Sequence, residues 1–378
     1  MRVLLERSDV DPNPVDKFGQ TPLSLATQFN YEGIARVLLE RSDVNPNPVD
    51  RRGRTPLYLA AECKHEGIVR ILLERSDVNP NPVDEFSQTP LFLAAKSGHE
   101  GIMRLLLERS DVDPNPVDRR GRTPLYLAAL CKHEGIVRIL LERTDLNPNA
   151  ADGKGRTPLS LAAKRGREGI VRMLLERTDV NPDTVDEDGR TPLSLAARGG
   201  REEVVRILLG RANPNTANKD GRTPLSLAAG SGRRGVVRIL LERNDVNPNT
   251  VDKDGRTPLF LALENRKDEV VRMLLERNDV DPNTVNEDGR TPLFLAVRDG
   301  NEEVVELLLE RNDVDPNISD YYGQTVVSWA AQYGSDRIAK LLWDRANPTP
   351  IYAAGPPTNR PLSPRPVSKT PYKRLRRF

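Results

Sequence analysis

The tripeptide Thr-Pro-Leu returns along this chain at Thr21, Thr55, Thr89, Thr123, Thr157, Thr191, Thr223, Thr257 and Thr291, with a degenerate tenth copy at Thr325-Val326-Val327. Successive threonines lie 34 residues apart, except between Thr191 and Thr223, where the step is 32. A fixed period of this size predicts a solenoid, in which each unit buries its apolar face against its neighbours. In such a body the working parts are expected to spread along an extended surface rather than gather in a pocket.

One unit, Arg51 to Asp84, shows why the period is helical. Thr55 can cap a helix, and Pro56 suits its first position, where a missing N–H costs nothing. Leu57, Leu59, Ala60 and Ala61 give a short helix with a small face. Glycines such as Gly98, Gly166 and Gly232 turn the chain back in other copies. Ile68, Val69, Ile71, Leu72 and Leu73 then form a second apolar stripe, with Arg70, Glu74 and Arg75 placed on its wet side. Asp-Val-Asn-Pro-Asn ends that helix, and a polar tip around Gly53 closes the unit as a hairpin-like loop. The expected fold class is an all-α repeat solenoid. It runs over 1–347, with a half repeat at 1–16 and units starting near 17, 51, 85, 119, 153, 187, 219, 253, 287 and 321. Val3, Leu4 and Leu5 align with Val37, Leu38 and Leu39, so the chain opens in the middle of a unit, as a fragment or a C-terminal portion would. Trp329 and Trp343 mark the last unit as a cap.

The motif Asp-x-x-Gly-Arg-Thr-Pro-Leu-x-Leu-Ala-Ala, followed by Gly98-His99 and Ile-Val-Arg-x-Leu-Leu-Glu-Arg, resembles the ankyrin repeat, whose signature is Thr-Pro-Leu-His-x-Ala. Two departures stand out. The signature histidine is replaced by Ser24, Tyr58, Phe92, Tyr126, Ser160, Ser194, Ser226, Phe260, Phe294 and Ser328. The Asp-Val-Asn-Pro-Asn connection is also longer than usual. That long form is similar to the expanded ankyrin arrays of filamentous fungi, often joined to NACHT-type ATPases in NLR-like sensors. The resemblance implies a non-enzymatic scaffold that binds protein partners through its concave face and loop tips. Its runner-up is the sensing array of a larger ATPase, since no Gly-rich Lys-Ser/Thr loop occurs in this chain.

Carried over residue by residue, the tips are Lys17-Phe18, Arg51-Arg52, Glu85-Phe86, Arg119-Arg120, Gly153-Lys154, Glu187-Asp188, Lys219-Asp220, Lys253-Asp254, Glu287-Asp288 and Tyr321-Tyr322. Arginine and aromatic residues are enriched where interfaces hold their binding energy. Phe18, Arg51, Arg52, Phe86, Arg119 and Arg120 therefore read as a strip for an acidic partner, or as a solvated edge copied by duplication. Tyr58, Phe92 and Tyr126, on the inner helices, are further specificity candidates, with Tyr321 and Tyr322 at the far tip. Duplication is evident, because residues 51–84 and 119–152 are identical at 29 of 34 positions.

Other chemistry is weakly supported. His65, His99 and His133 recur at one repeat position, with Cys63 and Cys131 two residues before two of them. Layers about 10 Å apart cannot converge such residues on one metal ion or form a disulfide. They read as turn residues and as free thiols of a reducing, intracellular compartment. Asp252-Lys253-Asp254-Gly255 fails as a calcium loop, because the twelfth position would be Leu261. No cofactor or metal is expected, and no apolar run approaches membrane-spanning length. Arg2, Glu6 and Arg7 interrupt the N-terminal apolar stretch, so no secretory pattern is read there. Asn317-Ile318-Ser319 is a sequon expected to go unused. The body is expected to be a monomer unless its N-terminal edge docks.

Charge separates the tail from the body. Seven of the 57 basic residues and none of the 55 acidic ones lie in 348–378, leaving the body net acidic. A mildly acidic body is not the footprint of a dedicated nucleic-acid-binding domain. The tail holds eight prolines and is expected to be disordered. Ser363 and Thr370 precede prolines as kinase sites do. Lys373, Arg374, Arg376 and Arg377 read equally as a nuclear import signal, an anchor for acidic surfaces or a solvated end.

Overall fold

A computed structural model describes residues 10–333 and 336–346. The expected kinase sites and basic run of the tail, and the apolar start at Val3, Leu4 and Leu5, lie outside these described residues. Within them the chain forms twenty helices in ten successive pairs. The first helices of the pairs are α1 (Pro22–Gln28), α3 (Pro56–Cys63), α5 (Pro90–Ser97), α7 (Pro124–Cys131), α9 (Pro158–Arg165), α11 (Pro192–Gly199), α13 (Pro224–Gly230), α15 (Pro258–Glu264), α17 (Pro292–Arg298) and α19 (Val326–Tyr333). The second helices are α2 (Glu32–Leu39), α4 (Glu66–Leu73), α6 (Glu100–Leu107), α8 (Glu134–Leu141), α10 (Glu168–Glu176), α12 (Glu202–Leu208), α14 (Arg234–Leu241), α16 (Asp268–Leu275), α18 (Glu302–Leu309) and α20 (Asp336–Ala346). Each helix packs on its pair mate and on its counterparts in adjoining units. The array is an all-α repeat solenoid.

Local chemistry starts each pair. Thr55 is extended, its Oγ1 accepts the Tyr58 N–H at 3.3 Å, and Pro56 follows at the first helical position. The same cap recurs at Thr123 with Tyr126 and at Thr191 with Ser194. The chain reverses after each of the first nine of these helices through a left-handed residue. Gly98 and Gly166 adopt that conformation freely, whereas Lys64 (φ 65°) and Lys132 (φ 67°) carry a side chain through it.

Burial is continuous. Leu57, Leu59, Ala60 and Ala61 of α3 and Ile68, Val69 and Leu72 of α4 are buried, and one apolar cluster extends from Leu23 to Leu342. The alanine pairs let neighbouring first helices approach closely. The long connections plug this core as well, with Val44, Val78, Val112, Leu146, Val180, Val246, Val280 and Val314 all buried. Where the step shortens to 32 residues, Ala212 takes the place of the valine and is likewise buried. At the C-terminal end Trp329 packs 5.8 Å from Phe294, ring centre to ring centre, while Trp343 is exposed.

Two hydrogen-bonded ladders stitch units together through these connections. Asn47 donates its side-chain amide to the Asp77 carbonyl at 2.7 Å and accepts the Asn79 N–H at 2.8 Å. Asn13, Asn81, Asn115, Asn215, Asn249 and Asn283 repeat the donor half of this bond. Beside it, Arg75 reaches back to the carbonyls of Leu39 (3.3 Å) and Arg41 (3.0 Å) while pairing with Asp77 at 2.5 Å. Arg177, Arg277 and Arg311 do the same in later units, and Arg143 makes the first of these bonds, to the Leu107 carbonyl. The placement of Arg75 on the wet side of its helix is thus corrected: its side chain is 19% exposed. It lies past the last turn and satisfies the end of the previous unit's helix, whose carbonyls lack helical partners. At the 32-residue step the paired aspartate is missing, and Arg211 binds the carbonyls of Leu175, Arg177, Thr178 and Val180 instead.

Candidate functional site

The loop tips are built by one aspartate per unit. Asp50 Oδ1 accepts the N–H groups of Arg52 and Arg54, each at 2.9 Å, which folds the tip into a tight turn. The Asp50 N–H bonds the Arg54 carbonyl at 3.1 Å, closing the loop as a hairpin would. Among the described residues no strand forms, and an isolated bridge joins Ser319 and Thr325. Gly53 takes φ 77° at the tip, and a Cβ there would meet the Val83 carbonyl at 3.2 Å.

Where an arginine follows four residues on, the aspartate forms a buried ion pair with it. Arg54 binds Asp50 at 2.8 Å, Arg122 binds Asp118 at 2.6 Å and Arg156 binds Asp152 at 2.5 Å. Burial alone would raise the Asp152 carboxyl, but hydrogen bonds from Arg156, Tyr126 and the local backbone outweigh it and bring it to about 2. Asn218 and Asn286 replace the aspartate in two units and still accept the two backbone N–H groups. The turn therefore needs the oxygen, and the charge serves the arginine.

Adjacent tips are joined backbone to backbone. The Arg51 N–H donates to the Phe18 carbonyl (3.1 Å), Glu85 to Arg52 (2.9 Å), Arg119 to Phe86 (3.3 Å) and Gly153 to Arg120 (2.9 Å). The series continues through Lys154, Asp188, Asp220 and Asp254 to Tyr321, which donates to Asp288 at 3.0 Å. Phe18 and Phe86 stand 53% and 52% exposed in this row, and Tyr321 and Tyr322 are 73% and 75% exposed. Arg51, Arg52, Arg119 and Arg120 are exposed too. The Arg119 guanidinium lies 5.7 Å from the Phe86 ring centre, and the Lys17 ammonium 5.1 Å from that of Phe18. The structure thus brings the six residues of the sequence-derived strip into one row.

The inner-helix candidates are corrected. Tyr58, Phe92 and Tyr126 are 2%, 1% and 2% exposed and present no surface to a partner. Their position faces the next unit. Tyr58 and Tyr126 each donate a hydroxyl hydrogen bond at 2.7 Å to the following tip aspartates, Asp84 and Asp152. Burial, then these carboxylates, push both phenols well above their ordinary range. In serine-bearing units the hydroxyl turns inward, as where Ser160 Oγ donates to the Thr157 carbonyl at 2.9 Å. The two tyrosines at the missing histidine position therefore brace the tips from beneath. Helical spacing alone could not show this, because each phenol's partner lies 26 residues ahead, beyond both helices of the pair.

His65 Nδ1 sits 2.9 Å from the Thr27 carbonyl, and the His99 ring accepts the Ile102 N–H at 3.4 Å. These rings serve the turns. Cys63 and Cys131 are free and exposed, and no cluster of three or more His, Cys, Asp or Glu side chains suited to a metal occurs among the described residues. No described helix is long and apolar enough to cross a membrane.

Paired helices, cap-and-turn tips and ladders between units define a helical repeat protein whose exposed variety sits on its tips. A family profile described as "Ankyrin repeats (3 copies)" matches residues 1–84, 76–152, 143–218, 210–286 and 278–350. The chain belongs to the ankyrin-repeat family. Ankyrin repeats generally serve as protein-interaction modules, and proteins built from them are typically non-enzymatic. No curated protein matches the chain.

Proposed function

We propose that this protein is a non-enzymatic scaffold that captures an acidic protein partner along the N-terminal tips. The supporting observation is the stitched row in which exposed Phe18 and Phe86 alternate with Arg51, Arg52, Arg119 and Arg120. No described acid forms an ion pair with any of these four arginines. Tip-to-tip hydrogen bonds fix their order and spacing before a partner arrives, which lowers the ordering cost of binding. The rings supply apolar contact and the guanidinium groups orient carboxylates. Tips from Glu187 onward carry mostly acidic side chains and would repel the same ligand.

Selection from a displayed random-peptide library tests this reading. The parent protein should enrich peptides that join Asp or Glu to an apolar residue fitting the exposed rings, and R51E/R52E/R119E/R120E should lose that class at least tenfold while keeping its helical spectrum. Equal enrichment by both would overturn the assignment.

A further inference from the structure

The residue that caps the start of each second helix forms a second row, on the edge where the paired helices turn. It reads Tyr31, His65, His99 and His133, then Arg167, Arg201, Arg233 and Lys267, then Asn301. Four consecutive units thus place a cation where the preceding ones place an aromatic ring. The stems of Arg201, Arg233 and Lys267 are held against the glycine turn of the unit before. A Cβ on Gly166 would lie 2.8 Å from Arg201 Cδ, one on Gly200 2.9 Å from Arg233 Cδ, and one on Gly232 2.8 Å from Lys267 Cδ. Arg233 also donates Nε to the Arg198 carbonyl at 3.0 Å. Arg198, Arg234 and Arg266 add exposed cations beside the row.

Three features set this row apart from an ordinary solvated edge. None of these seven cations forms an ion pair within the described residues, although arginines elsewhere in the array are commonly paired. Arg167 keeps a buried Nε without a hydrogen-bond partner. Arg234 opens α14 where every other second helix begins with Glu or Asp. A cation at a helix N-terminus opposes the helix dipole and works against local stability.

We propose that this turn-edge row is a docking site for an acidic protein segment, separate from the tip strip and independent of it. Three unit spacings of about 10 Å give the row a length of roughly 30 Å. An extended acidic peptide of about ten residues spans that distance. Glu168, Glu202, Glu203, Asp268 and Glu269, in the first turns of their helices, interleave with the cations. A peptide whose discrete carboxylates fall between them fits this pattern better than a continuous phosphate backbone. Pinned stems hold the cations at their spacing, so little side-chain freedom is lost on docking.

The test uses the full chain and a fluorescein-labelled peptide of about twelve glutamates, read by anisotropy at low and moderate salt. R201Q/R234Q/R266Q removes exposed heads that form no ion pair and should weaken binding at least tenfold, with an unchanged helical spectrum and a melting midpoint no lower than the parent's. R51E/R52E/R119E/R120E, by contrast, should retain at least part of the binding, which separates this site from the tip strip. Undiminished affinity when the turn-edge changes are added to R51E/R52E/R119E/R120E would overturn the proposal. So would a single-stranded oligonucleotide that binds the parent more tightly than the peptide and is lost in the same variant, since the row would then serve nucleic acid.

Discussion

Asp152 offers the sharpest test of how a tip is held. Its side chain is 3% exposed and accepts from five directions: the N–H groups of Lys154 and Arg156 at 3.0 Å, two Arg156 nitrogens at 2.5 and 2.8 Å, and the Tyr126 hydroxyl at 2.7 Å. Asp152→Asn keeps an oxygen for the two backbone bonds, as Asn218 and Asn286 do, and removes the charge. A carboxyl lowered from 3.8 to about 2 corresponds to about 2 kcal/mol of native-state preference at neutral pH. Asp152→Asn should cost about that much. Asp152→Ala also strands two backbone N–H groups and a half-buried guanidinium, and should cost about 4 kcal/mol.

The sign of the pH dependence follows from the lowered carboxyl. Its contribution is fully present above the unfolded value and is lost as pH falls through the folded one. The gap between parent and Asp152→Asn should therefore be level from pH 7 to 5, shrink to about half near pH 3, and close toward pH 2. Urea unfolding followed by far-ultraviolet circular dichroism measures the gap, and amide exchange at Lys154 and Arg156 reports the turn itself. Asn and Ala variants of equal stability, or a gap unchanged from pH 7 to 3, would refute the division into a turn oxygen and a charge.

The ladders yield two further expectations. Arg75→Ala should lower the urea midpoint by an amount worth about 1–2 kcal/mol, whereas Arg70→Ala, whose exposed side chain pairs with Glu66, should stay within about 0.5 kcal/mol. Asn81→Ala deletes a donor to the Asp111 carbonyl and an acceptor for the Asp113 N–H, and should cost about 1–2 kcal/mol with faster amide exchange at Asp113.

The parts legible in the sequence are those decided within one unit. Thr55-Pro56 announces a cap and a first helical turn through neighbouring atoms, and the Ile68 to Leu73 stripe declares its buried face through helical spacing alone. The misread parts are decided between units. Arg75 looks solvated on its own helix because the carbonyls it binds lie 34 and 36 residues back. Tyr58 looks available for binding because the carboxylate that holds its hydroxyl lies 26 residues ahead. The tip strip was visible as a list of residues, and its continuity was not, because backbone bonds such as Arg51 to Phe18 leave no mark in side-chain identity.

That division explains how one array can carry several surfaces. The forces joining units act through backbone groups, a cap threonine, a tip Asp or Asn, and the arginine and asparagine of the connection. These forces do not depend on the side chains of the tip strip, and the turn-edge heads add only single bonds such as that of Arg233 to the Arg198 carbonyl. Arg51-Arg52 and Glu287-Asp288 occupy the same tip position with opposite charge, yet both tips bond their neighbours through the backbone. His133 and Arg201 likewise lie across the same kind of glycine turn, at Gly98 and Gly166. A solenoid held this way can change the charge of an edge from one unit to the next at little cost in stability, so surface chemistry can follow a partner while the packing stays the same.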